Sequence, residues 1–95
     1  MTKAKEVNPA TIKFPLVMVE WLDHCSHENT NWRDLTTSTD IEPLTVFSVG
    51  WLAKDHPDYI VLVPHFQAEY GMCTGELCVM KGSIRKKIVL SRASG

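Results

Sequence analysis

The sequence predicts a mainly β fold, a small, strongly bent five-stranded barrel with a long polar insert after the first strand. Three observations carry that prediction. Residues 45–53, 59–64, 76–80 and 84–90 are rich in β-branched and aromatic residues, the composition of half-buried pleated strands. Between the last two, Lys81-Gly82-Ser83 leaves room for no more than a one-turn corner. Gly50 sits inside a strand pattern, where it marks a bulge or tight bend, and bent strands are how a few short strands close on themselves.

Length and composition set the frame. Ninety-five residues make one domain, read as residues 11–92 behind a polar N-terminal arm over 1–10. A chain this short buries a modest fraction of its surface, so self-association would help to stabilise it. An apolar share of 44% and a charged share of 22% are ordinary for a globular protein. The net charge of -1 argues against a polycationic nucleic-acid tail but leaves room for a local basic face. No apolar run approaches the roughly 20 residues that span a bilayer, and Val7-Asn8-Pro9 interrupts the place where a signal peptide needs apolar continuity. The reading is therefore an intracellular, cytoplasmic chain with no membrane partner. Three cysteines agree, since an odd number makes a poor disulfide framework.

The elements follow in order. Leu16-Val17-Met18-Val19-Glu20-Trp21-Leu22 is a strand with Val17, Val19 and Trp21 on one face and Leu16, Met18, Glu20 and Leu22 on the other. Apolar residues on both sides predict burial of both. Residues 23–42 form a polar loop of unusual length, functional or carrying a small element of its own; Trp32 is expected to pin it to the body, and Arg33-Asp34-Leu35 to form one helical turn. In the next strand Val46, Ser48 and Gly50 alternate with Thr45, Phe47, Val49 and Trp51. Residues 54–58 turn the chain into the continuous apolar run Tyr59-Ile60-Val61-Leu62-Val63, a central strand. Residues 65–70 carry on before Gly71 and Gly75 reverse the chain. In the last strand Ile84, Lys86, Ile88 and Leu90 share one parity, with Arg85 and Lys87 projecting the other way.

This order resembles the Sm-like family of small bent barrels, related to SH3-type barrels. Val79-Met80-Lys81-Gly82-Ser83-Ile84, followed by Ile88, is similar to the second Sm motif of the Hfq-type branch, with Lys81 in the lysine position and Ile84 in the isoleucine position. Gly50, then Asp55 in the turn before Tyr59-Ile60-Val61-Leu62, loosely resembles the first motif. The similarity covers about half of the chain. Met80 stands where the branch has a tyrosine, and Gly82 where it has the histidine used in uridine recognition. Val19-Glu20-Trp21-Leu22-Asp23 and Val49-Gly50-Trp51-Leu52, with the late Lys-x-x-Ile corner, also resemble small uncharacterised proteins of bacteriophages; such an origin would mean the host-cell cytoplasm. The resemblance implies a homo-oligomeric ring built by edge-strand pairing and RNA or another nucleic acid as ligand.

The candidate chemistry is sparse. Lys81, Arg85, Lys86, Lys87 and Arg92 form the one basic cluster; of these Lys81, Arg85 and Lys87 are the candidate phosphate contacts. The plain alternative is a solvated strand face and a charged tail, with no aromatic neighbour in that segment for base stacking. Asp23, His24, Cys25 and His27, with Cys73 and Cys78, suggest a metal cluster, but zinc spacing is missing and the two later cysteines read as cross-strand packing neighbours. A Cys-His-Asp set from Cys25, His24 or His27, and Asp34 lacks any signal of an oxyanion hole. His56 and His65 read as structural; Trp21, Trp32, Trp51 and Tyr59 would frame an aromatic binding surface, with core packing as the simpler reading. No cofactor, metal or catalytic residue is expected. The reading is a non-enzymatic binding ring for nucleic acid. Its alternatives are a phage interaction protein engaging a protein partner through the 23–42 loop, and small-nucleotide capture at subunit interfaces.

Overall fold

Alternation along the first strand seats the core. In the computed structural model, which describes residues 13–26 and 31–92, β1 (Leu16–Asp23) turns Val17 and Val19 inward to full burial and leaves its other side chains half-buried. The expected arm over residues 1–10 lies outside the described residues, as does His27. The protein is mainly β. A five-stranded antiparallel sheet has the order β6-β3-β2-β1-β7, built from β2 (Leu44–Asp55), β3 (Tyr59–Val63), β6 (Leu77–Met80) and β7 (Ile84–Ser91) around β1. A separate two-stranded sheet pairs β4 (His65–Gln67) with β5 (Met72–Thr74).

The core is aliphatic: Val17, Val19, Ile60, Leu62, Val63 and Val79 are buried, with Trp21, Leu52, Leu77 and Ile84 packed beside them. Each such side chain contributes about 1.5–3 kcal/mol through burial. Of the aromatics expected in the core, Trp21 packs beside it, Trp51 and Tyr59 are half-buried, and Trp32 is fully exposed and does not pin the loop. Phe47 is 63% exposed on the outer side. The reason lies in the register of β2. Trp21 pairs with Val46, Val19 with Ser48 and Val17 with Gly50, so the small residues share the core face and Phe47 and Val49 point outward. Trp21 keeps its indole satisfied, donating from Nε1 to Ser48 Oγ at 3.0 Å. The outer face of β1 is consequently half-covered rather than buried, and Met18 lies between the exposed Val49 and Ile88.

Gly50 works by close approach, not by a bulge. A Cβ there would meet Leu62 Cβ and the Val63 backbone N and O, each at 3.2 Å. The irregularity in β2 sits instead between Leu52 and Lys54, and the strand runs on to Asp55. β3 pairs only with the second half of β2, from Trp51 to Asp55, so residues 44–50 have β1 as their one strand neighbour among the described residues. The 65–70 run does not continue β3; Gly71 (φ 64°) folds it into the β4–β5 hairpin, where Phe66 meets Trp51 and Phe14 edge-on, and Gly75 (φ 74°) turns the chain from β5 towards β6.

The parity expected for the last strand is overturned by a bulge. Ile84 pairs with Trp21 but Lys86 with Glu20, so Arg85 is skipped and the faces exchange. Lys87 and Val89 stand opposite the core residues Val19 and Val17, while Lys86 and Ile88 lie on the outer face. In the insert, helix α1 (Leu35–Ser38) begins two residues later than the expected turn and is capped by Asp34, whose Oδ1 accepts from Thr36 N at 3.0 Å and Thr36 Oγ1 at 2.8 Å. Those hydrogen bonds hold the Asp34 carboxyl below its ordinary value. No described helix is long and apolar enough to cross a membrane.

Candidate functional site

The pairing of β3 with β6 builds the site. Tyr59 opens β3 and pairs with Met80, the last residue of β6, so the 3-10 corner Lys81–Ser83 lands beside the 56–58 turn that precedes Tyr59. The main chain joins the two loops: Lys81 N donates to Asp58 O at 2.9 Å. A side-chain contact repeats the link, with Lys81 Nζ 2.6 Å from Asp55 Oδ1 at the end of β2. The Lys81 hydrogen bond holds the Asp55 carboxyl below the usual carboxylate range, the Lys81 and Lys87 charges add to the effect, and partial burial opposes it. Within the corner Ser83 Oγ donates to Met80 O at 2.8 Å, and Gly82 has open space around it.

Local hydrogen bonds and a ring stack hold the turn together. His56 N donates to Tyr59 O at 2.9 Å, and Asp58 N donates to His56 Nδ1 at 3.0 Å. In that geometry Nδ1 is the acceptor, so the ring proton sits on Nε2. The Asp58 carboxylate, 3.9 Å from Nδ1, is too far for a hydrogen bond to it. The His56 ring stacks on the Tyr59 ring, centroids 4.2 Å apart and planes 13° from parallel. Lys54 Nζ donates to the Tyr59 hydroxyl at 3.0 Å and lies farther, 5.2 Å, from the ring centre. That hydrogen bond holds the Lys54 ammonium above its usual value.

Of the candidate phosphate contacts, Lys81 is the one at the centre of this junction. Lys87 faces the core side of the sheet, near enough to act on Asp55. Arg85 occupies the bulge and is exposed. Lys86 is on the outer face opposite Glu20, and Arg92 follows the end of β7, so the basic residues do not share one face. His56, Tyr59, Lys54 and Asp55 are the residues that sequence reasoning did not bring together with Lys81 at this spot. The available signal was the turn Asp55-His56-Pro57-Asp58, whose histidine can bond its own backbone and whose following tyrosine begins the strand next to the corner.

The other candidates separate. Cys73 lies in β5 and Cys78 in β6, both exposed and in different sheets, so they are not packed cross-strand neighbours. Burial first, then the nearby Glu76 charge and a 3.7 Å Sγ–Oε2 contact, push the Cys73 thiol up. Among the described residues no three His, Cys, Asp or Glu side chains come together as a metal site. Asp23, His24 and Cys25 line a shallow cleft with Glu42 and Pro43. A second cleft of about 230 Å³, lined by Phe14, Ala53, Val63, Phe66 and Met72, is apolar. No family model, curated protein or solved structure matches this chain.

Proposed function

We propose that the chain is a non-enzymatic Sm-like binding module that assembles into a homo-oligomeric ring and takes RNA or another single-stranded nucleic acid at the Lys81 corner. The observation that carries this reading is the junction itself. A cationic corner is bonded through main chain and side chain to a turn bearing a stacked aromatic pair, His56 and Tyr59. Phosphate attraction and base stacking are the two contributions by which single-strand binders hold their ligand, and both come together here.

The strand order supports the Sm-like reading. The one-turn corner links β6 directly to β7, and these are the two edge strands of the five-stranded sheet. The two edges differ in charge: β6 carries none, whereas β7 carries Arg85, Lys86 and Lys87. Two β7 edges side by side would set like charges against each other. A β6 edge against a β7 edge avoids that, and such a head-to-tail contact gives a ring when the rotation between neighbouring copies closes. Mass measurement in solution, followed by titration with short oligoribonucleotides at two salt concentrations, tests the proposal. A ring whose binding weakens with salt and is lost on joint Lys81→Ala and Arg85→Ala substitution is the expected result. A strict monomer, or a ring indifferent to oligoribonucleotides, would sink it.

A second reading has its own observation. Trp32 is fully exposed and Leu35 is 76% exposed, both in the 23–42 insert. Large apolar side chains held out on a polar loop suit a protein partner, as in a phage structural or interaction protein. Deleting the tip of the insert would then abolish partner capture and leave nucleic-acid binding intact. Small-nucleotide capture between subunits would use the same Lys81 and Arg85.

A further inference from the structure

We infer that Asp55 is a built-in competitor for the anion at Lys81, so that the corner favours a strand with many phosphates over a single nucleotide. The inference rests on the proposed nucleic-acid reading and adds a regulation to it. Lys81 cannot swing away as a whole, because its backbone N–H is committed to Asp58 O. Its ammonium is committed to Asp55 Oδ1 at 2.6 Å, and both side chains are about half-exposed, at 40% and 50%. Water and solutes therefore reach the pair, and an incoming phosphate can exchange with the carboxylate.

Either route for that phosphate carries a cost. If it replaces Asp55, the charge-assisted contact to the carboxylate is given up. If it takes one of the two remaining ammonium protons, its charge sits within a few ångströms of the Asp55 carboxylate. Lys87, on the core face of β7, adds a weaker positive charge that favours the ionised Asp55 carboxylate. Asp58 adds a second negative group on the turn side. A lone phosphate meets a lysine already neutralised and gains little. A polynucleotide crossing the same corner on successive subunits repeats the small gain and adds a stacking contact each time.

The experiment uses the full chain, with inorganic phosphate as the probe and two NMR readouts: the backbone amides of Lys81 and Gly82, and the Asp55 side-chain carboxyl carbon. In the native protein the carboxyl signal should move with the same midpoint as the amides. Asp55→Asn should bind phosphate about two- to five-fold more tightly, the range set by an exposed ion pair, and Lys81→Ala should lose binding. Equal or weaker binding by Asp55→Asn overturns the inference. So does an Asp55 carbon that stays still while the amides saturate, a readout that decides the matter even if the variant does not fold. An oligoribonucleotide arm separates the two readings. Phosphate competition without any oligoribonucleotide binding would refute the nucleic-acid reading and leave the competitor in place.

Discussion

Lys87 stands directly opposite Val19 across the β1–β7 pairing, a charged side chain on the face that carries the core. The bulge at Arg85 puts it there, and the same bulge sends Lys86 to the outer face beside Glu20. Three neighbouring basic residues thus see three different environments.

The first prediction follows from that separation. The Asp55 carboxyl titrates low because of Lys81 first and Lys87 second. Lys81→Ala should raise its titration midpoint most, Lys87→Ala less, and Lys86→Ala not at all. Carboxyl-carbon NMR through an acid titration reads the order; an effect of Lys86 matching that of Lys87 would contradict the bulged register.

Stability should follow pH with a definite sign. Asp55 and Asp34 have folded-state values below their ordinary one, so the folded chain holds these carboxylates ionised longer than the unfolded chain does. Their contribution is present above the unfolded value and is lost as pH falls through the lower folded value. Urea midpoints followed downward from neutral pH should therefore drop in the acid range, and Asp55→Asn should flatten part of that drop. An unchanged acid limb in the variant would remove the Asp55–Lys81 contact from the stability account.

Core and outer face should respond differently to truncation. Ile60→Ala removes a buried side chain at the centre of the aliphatic cluster and should cost about 2–5 kcal/mol. Phe47→Ala, on an exposed outward position, should stay within about 0.5 kcal/mol. Chemical denaturation measures both, and comparable losses would mean that the outer face is covered in solution.

Glycines supply a sharper contrast. Gly50→Ala forces a Cβ to 3.2 Å from Leu62 Cβ and from two Val63 backbone atoms, which have little room to yield. A loss of about 1–3 kcal/mol is expected, as for other overpacked sites. Gly82→Ala meets nothing within 4 Å and should be close to neutral, with phosphate binding retained. Thermal melts of the two variants side by side are sufficient.

Much of the fold was legible in local pattern. The alternation grouped Val17, Val19 and Trp21 on one face of β1, although both faces were expected to be buried, and Lys81-Gly82-Ser83 was readable as a corner because it left no room for anything longer. What was not legible depended on register. The bulge at Arg85 reverses the parity of β7, and no residue type there announces it, since arginine serves equally well in a regular strand. The inward face of β2 was open for a related reason: β2 could present either Phe47 and Val49 or Val46 and Ser48 inward, and pairing with the bulky β1 face selected the small set. At the candidate site Lys81 was visible, but His56, Tyr59 and Asp55 became part of it through the β3–β6 pairing, a contact between segments some twenty residues apart.

The half-paired β2 has a practical consequence. Among the described residues nothing pairs with the second backbone edge of residues 44–50, and the stretch contains no charge and no proline to keep a second strand away. That makes it the segment where concentrated or warmed samples should first stick together, through sheet growth rather than through loss of the core. For anyone preparing the protein, a lysine at Thr45 or Phe47 is the change that would lengthen its shelf life without touching the Lys81 corner.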